Sequence, residues 1–466
     1  MIRRIKRKKK LNDLKPISTI LFHVVLGVVA IMYRPIMQVY VIGCVFYFLY
    51  RFLTRKNKEK EVLIACAYMA GGEVFFRMTK AMVFYETGKY AVILFLLFGM
   101  FYQGFKRKAY PYAIYLILLL PGLIGALDYF AGDLFLYRKT VLFNLSGPIS
   151  LCAAALYCYG RTLKMSEFLQ ILDTIVYPII AMTVYLYLYN PAIRDVVTNT
   201  ASNAATSGGY GPNQVSTMLG LGVFILFTRL LLPYKHKLVQ FTMMFFLIAM
   251  AHRALLTFSR GGVYVAILIA FAFVIMLYFS SGLRMKAKLS YKILVTFAVT
   301  FGIWLIAVSQ TGGLLSNRYA NEDSLGREKE DISTGRGDLL SAEIDAFADE
   351  PILGIGIGAT KIYHIQHLGS ALPTHNEISR MLAEHGLFGI IALLILIFAP
   401  LSSKLQGQQN IYFYSFLGFW FLTVAHSSMR IAAPGFIYGL ALLNLTYGKK
   451  KKNTLPRQPT LQARKK

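Results

Sequence analysis

THNEISRMLAEHGLFGIIALL, residues 374–394, runs from a crowded set of titratable side chains straight into an apolar segment that continues to Ala399. An apolar run of about 20 residues crosses the ~30 Å hydrocarbon layer as a helix, because only a helix or a closed barrel satisfies its own backbone in lipid. Similar runs recur through the chain, with centres near residues 25, 44, 70, 96, 118, 153, 180, 222, 248, 270, 299, 393, 418 and 439. Of the 466 residues, 56% are hydrophobic and only 15% charged, and the charges are gathered into islands between the runs. Repeated runs of this length exclude a single soluble core. The expectation is an all-α polytopic membrane protein of about 12–14 transmembrane helices with a large extracytoplasmic loop containing short helices. The segment 62–78 contains Gly71, Gly72 and Glu73, which predicts a broken or bundle-interior helix there.

A net charge of +28 invites a nucleic-acid reading, so the location of the charge has to be weighed before its sign. Eight Lys/Arg fall in the first fifteen residues and eight follow Gly448. With both ends in the cytoplasm the basic islands alternate as the positive-inside bias requires, and the tails lie near anionic lipid heads. No nucleic-acid partner is expected; the lipid bilayer is the partner that composition names. The organisation follows: a basic cytoplasmic tail at 1–16, an N-terminal transmembrane bundle at 17–310, a periplasmic loop at 311–385, further transmembrane helices at 386–447 and a second basic cytoplasmic tail at 448–466. The first span lacks a small-residue cleavage site and reads as an uncleaved anchor. Cys44, Cys66, Cys152 and Cys158 all lie in apolar runs, which implies neither a disulfide framework nor a metal cluster.

The loop is unusual in length and in charge. Between Gln310 and His385 stand twelve of the 22 acidic residues against six basic ones. Interruptions this long between membrane helices usually carry function. Within it, DLLSAEIDAFADEP (338–351) places apolar residues at 339, 340, 344 and 347, which predicts a helix with Asp338 as N-cap and Pro351 as its stop. ILGIGIGA (352–359) lacks the spacing of a dinucleotide loop and reads as a tight turn. A second polar loop spans 190–214.

In PTHNE (373–377), Thr374 as N-cap and Glu377 three residues on form a capping box, a structural role sufficient for Glu377. Arg380 and Glu384 continue the same helical face, where charge pairs form. This box puts His375 at the first helical position, where the positive end of the helix dipole disfavours imidazolium and leaves a ring able to accept a proton. As a bland alternative, His375 is a polar cap residue. Arg260, in LLTFSRGGVYVAILIAF (255–271), begins a span, with Arg253 two turns earlier in the preceding helix. Such cations either snorkel to lipid phosphate or offer a planar fork that fits phosphate bidentately. Arg336 lies between two glycines in GRGD, which is either an ordinary loop position or one that lets backbone approach a ligand.

FSRGG (258–262), GRGDLLSAEIDAFADEPILGIGIG (335–358) and THNEISRMLAEHGLFGIIALL (374–394), together with GPNQ (211–214), resemble in order and spacing the O-antigen ligase/polymerase family of bacterial membrane glycosyltransferases. That resemblance covers roughly residues 211–400. It implies glycan transfer from an undecaprenyl-diphosphate-linked donor to a lipid or glycan acceptor hydroxyl, at the periplasmic face of the cytoplasmic membrane, with no cofactor and no metal. Arg260 and Arg336 would bind diphosphate and His375 would act as base, with Asn213, Asn376 and Glu384 as supporting polar groups beside Glu377 and Arg380. Arg253 has no family counterpart and is nominated by helix placement alone. Transfer to lipid A-core by a ligase is the favoured reading, repeat-unit polymerisation the alternative within the family. A flippase or transporter is the alternative from another class, and neither internal repeats nor mid-membrane charges favour it.

Overall fold

The computed structural model describes residues 15–447 except 59, 131, 191, 203, 233–235, 330–334, 370–373 and 428. Both basic tails, but for Lys15 and Pro16, lie outside the described residues, as does Pro373.

Each predicted span centre but one falls inside a helix. In chain order the helices are α1 (Lys15–Met32), α2 (Ile36–Arg55), α3 (Glu61–Met78), α4 (Thr87–Gln103), α5 (Tyr110–Ile117), α6 (Pro121–Tyr129), α7 (Leu134–Cys158) and α8 (Met165–Tyr189). They continue with α9 (Pro212–Leu231), α10 (Lys237–Leu256), α11 (Arg260–Phe279) and α12 (Leu283–Gln310). The expected span centred on 118 is divided between α5 and α6, since Pro121 lacks an amide N–H and begins a new helix. Ten helical segments among the described residues are long and apolar enough to cross a membrane.

The long loop contains three short helices, α13 (Leu314–Ala320), α14 (Arg336–Asp349) and α15 (Thr360–Leu368). It is followed by α16 (Glu377–Leu405), α17 (Phe413–Ser427) and α18 (Ala433–Ala441). The last expected span is thus short. Nine residues rise only about 14 Å as a helix, so α18 cannot cross alone. It is buried along its whole length, and the chain beyond it pairs β2 (Asn444–Thr446) in parallel with β1 (Thr162–Lys164) at the end of the bundle away from the loop.

The bundle interior explains the unusual 62–78 segment. Helix α3 is continuous and buried throughout, and a Cβ added at Gly71 would lie 2.3 Å from the Ile175 carbonyl of α8, so glycine permits the close crossing. Its Glu73 and Arg77 pair within the helix and reach the 429–432 strap that joins α17 to α18: Ala432 N donates to Glu73 Oε2 at 2.6 Å and Arg77 Nη1 donates to the Arg430 carbonyl at 3.0 Å. Glu86 continues this buried network, 3.6 Å from Arg77 and paired with Lys89.

The glycine-rich turn 352–359 locks the loop onto the bundle. Ile355 N and Gly356 N donate to the carbonyls of Ala383 and Glu384, and Ile357 N donates to that of Gly122. Gly356 has φ +98°, and a Cβ there would meet Ala126 N at 2.1 Å, so only glycine fits. Helix α16 bends where Gly386 takes φ 54° and ψ −135°, separating the polar turn Glu377–His385 from the apolar remainder.

Candidate functional site

Two expectations about helix starts are corrected here. The N-cap of α16 is Asn376, whose side chain accepts from Ile378 N at 2.9 Å, rather than Thr374, so Glu377 is the first helical residue and His375 precedes the helix. Thr374 instead spends its hydroxyl on Glu343 Oε1 at 2.7 Å, a tertiary partner that outcompetes the local cap. Helix α14 begins at Arg336 with Gly335 as its cap, which makes Asp338 a first-turn residue. Its buried face is Leu339, Ala342, Glu343 and Ala346, whereas Leu340 and Ile344 of the expected face are exposed. The small alanines allow close packing on α16, and Glu343 is drawn inward by its partners.

Glu343 is only 2% exposed and also accepts from the Ser379 hydroxyl, with His364 Nε2 3.6 Å away. Burial pushes its carboxyl above the ordinary value, against the hydrogen bonds from Ser379 and Thr374. On its other side Thr374 is held through its carbonyl, which accepts from Arg430 Nη2 at 2.6 Å. The residue before His375 is therefore pinned from both the loop helix and the α17–α18 strap. An acidic residue within the helical pattern of α14 was the only trace of Glu343 in the sequence.

His375 lines a small cavity of about 120 Å³ with Arg336, Glu343, Asn376, Ser379 and His426. Arg260 stands beside it: the next residue, Gly261, lies so close to the His426 ring that an added Cβ would be 2.5 Å from Cδ2. The third cation was not expected. Arg318 of α13 donates from Nε to the Phe258 carbonyl at 3.1 Å, and its own carbonyl accepts from Arg260 Nη1 at 3.4 Å. Burial, and then the charges of Arg260 and Arg336, pull the Arg318 guanidinium below its ordinary value; burial and Arg260 do the same to Arg336. Three guanidinium groups thus feel one another, and none has a carboxylate ion-pair partner among the described residues. Such a field favours a multivalent anion. Asn213 supports this corner, accepting from the Ser259 hydroxyl at 2.8 Å immediately before Arg260.

Arg253 stands elsewhere, lining a separate cavity with Tyr187, His252 and Gln310. It is buried, donates to the carbonyls of Leu186 and Asn190, and its guanidinium carbon lies 4.5 Å from the Tyr187 ring centre. Leu186 lies in the last turn of α8 and Asn190 is its C-cap, so the guanidinium sits at the negative end of the helix dipole.

Glu377, Arg380 and Glu384 form the ladder expected from their spacing but face a different cavity. Arg380 pairs with Glu377, lies 3.6 Å from Glu384 and donates to Asn144 Oδ1 at 2.5 Å, while Thr360 donates to Glu384 at 2.8 Å and Met429 N to Glu377 at 3.3 Å. With Thr374 these residues line a larger chamber of about 360 Å³. The segment 374–380 is therefore a partition, presenting His375, Asn376 and Ser379 to one cavity and Thr374, Glu377 and Arg380 to the other.

Fold and site together define a polytopic membrane protein with a cationic cleft at the loop-bearing end of its helix bundle. Residues 245–394 match the family model described as O-antigen ligase, and the chain carries an O-antigen ligase family domain there. That segment holds Arg260, Arg318, Arg336, Glu343 and His375; Asn213, Lys89, Lys139, His426 and Arg430 lie outside it. The comparison with curated proteins returns no match. The match supports a membrane enzyme of the ligase/polymerase group, with lipid and glycan as its fitting substrates.

Proposed function

We propose that the protein transfers a glycan from undecaprenyl diphosphate to an acceptor hydroxyl, that of lipid A-core, at the periplasmic face of the bacterial cytoplasmic membrane. The observation that carries this reading is the convergence of Arg260, Arg318 and Arg336 beside the cavity that His375 lines. A sugar diphosphate already has a good leaving group, so the protein has two tasks: to stabilise charge on the departing diphosphate and to accept the acceptor's proton. In the proposed step the acceptor oxygen forms a bond to the anomeric carbon as the anomeric carbon–oxygen bond to phosphate breaks. The electron pair leaves on the diphosphate between the arginines, and the hydroxyl proton passes to His375. Glu343 and Arg430 act as positioning residues, because they hold Thr374 and through it the ring. No step calls for a metal or a nucleotide.

The test is transfer by the purified full-length protein from undecaprenyl-diphosphate-linked glycan to lipid A-core in the presence of excess EDTA. Wild-type protein is expected to transfer, and His375→Ala and Arg260→Ala each to lose about 100-fold or more while remaining in the membrane. Full transfer by His375→Ala would refute the assignment. Extension of lipid-linked repeat units without use of lipid A-core would convert the reading to the polymerase.

A further inference from the structure

The larger chamber lies across the 374–380 partition from the arginine cluster, and its lining is markedly basic. Lys89, Lys139, Lys361, Arg380 and Arg430 face it, against the carboxylates of Glu377 and Glu384. Two of these cations are committed: Arg380 to Glu377 and Glu384, and Lys89 to Glu86 behind the wall. The other three have no carboxylate ion pair among the described residues. Lys139 near the start of α7 and Lys361 in the first turn of α15 are exposed, and Arg430 is half-buried in the strap with its guanidinium on the Thr374 carbonyl. Burial, the leading influence on Arg430, pulls it below its ordinary value, as does the neighbouring charge of Arg380.

We infer that this chamber binds the acceptor glycan, and that the acceptor is anionic, carrying carboxylate or phosphate groups that Lys139, Lys361 and Arg430 engage. The inference rests on the transfer reading above, which assigns the donor diphosphate to the arginine cluster and leaves the opposite face of the His375 segment for the second substrate. Three features support it. Thr374 and His375 are adjacent in the chain and line the two cavities, so the chamber and the His375 cavity share this segment as a common wall. The chamber volume of about 360 Å³ suits one or two sugar rings. Lys89 on α4, Lys139 on α7 and Arg430 in the strap lie outside the matched family segment, so much of this charge comes from elements that flank it.

The probes are three oligosaccharides titrated onto the full-length protein in phosphatidylcholine nanodiscs: hexagalacturonate, a phosphorylated maltohexaose and plain maltohexaose. At least one of the two anionic probes is expected to bind about tenfold or more tightly than plain maltohexaose, and the stronger of the two identifies carboxylate or phosphate as the ligand group. The double variant Lys139→Gln/Lys361→Gln changes only exposed side chains, and is expected to weaken anionic binding about tenfold while leaving plain maltohexaose unchanged. Wild-type anionic affinity in that variant, equal binding of the neutral probe, or anionic binding lost only in Arg336→Gln would overturn the inference. Full transfer by His375→Ala, with the lysine dependence of anionic binding intact, would instead remove the proposed reaction and leave the anionic glycan site standing.

Discussion

Replacing Arg318 with Gln separates a binding role from a structural one, because the first predicts lost anion affinity at nearly unchanged stability and the second predicts lost stability. In the folded protein Arg318 gains one hydrogen bond, to the Phe258 carbonyl, and bears repulsion from Arg260 and Arg336. This bond has a charged donor but a half-buried one, worth about 1.5 kcal/mol, and repulsion between partly exposed charges offsets up to about 1 kcal/mol of it, so the thermal midpoint of the ligand-free variant should change little. Diphosphate binding should fall. A hydrogen bond to a charged group contributes about 1.5–3 kcal/mol, and the lower end applies because the guanidinium is half-buried and one N–H is already committed. At 1.4 kcal/mol per decade, the expected loss is about tenfold in affinity for inorganic pyrophosphate, read by calorimetry on detergent-solubilised protein at fixed low salt. Arg318→Lys should recover charge but not the fork, and so only part of the affinity. Unaltered pyrophosphate affinity in Arg318→Gln, with the protein folded, would refute the argument that the three arginines share one anion.

Arg253→Ala is expected to keep glycan transfer near wild type while lowering the thermal midpoint, since it removes about 1–3 kcal/mol of bonding to the C-terminal end of α8; lost transfer in a stable variant would place Arg253 in the site. For Glu343, burial raises the carboxyl in the folded state above its ordinary value of 4.5, so the native protein holds a proton that the unfolded chain has released. The stability this contributes is present below 4.5 and drains away as pH rises through the raised native value. Glu343→Gln has no such proton and should flatten the fall of thermal midpoint with pH across that window, while Glu343→Ala, which also frees Thr374, should lose activity at every pH; an unchanged slope in the Gln variant would count against the assignment. Gly356→Ala should cost about 2–5 kcal/mol, from a left-handed backbone and a Cβ driven into Ala126, and should be seen as lost yield of folded protein.

Reading along the chain located nearly every long apolar helix, though not α13 or α15 in the loop, because an apolar run of bilayer length is a local property that folding does not alter. The exceptions have local causes that hydropathy averages away: a proline that divides 110–129, and a C-terminal run cut short where α18 gives way to β2. The candidate site was legible in part. Arg260, Arg336 and His375 were nominated from their sequence surroundings, and the fold gathers Arg336 and His375 in one cavity with Arg260 alongside. Arg318 and His426 were missed, having no motif, periodicity or cap to distinguish them.

By itself, the order of residues determined the class of protein, the positions of its membrane helices and the loop on which the chemistry would have to lie. Tertiary structure alone decided which charges act together. It took Arg253 to a helix end, brought Arg318 to Arg260, moved the cap of α16 to Asn376 and made residues 374–380 a wall between two cavities. The reason is that burial, pairing and like-charge repulsion depend on distances set by the packing of helices far apart in sequence, and spacing along the chain carries none of that information.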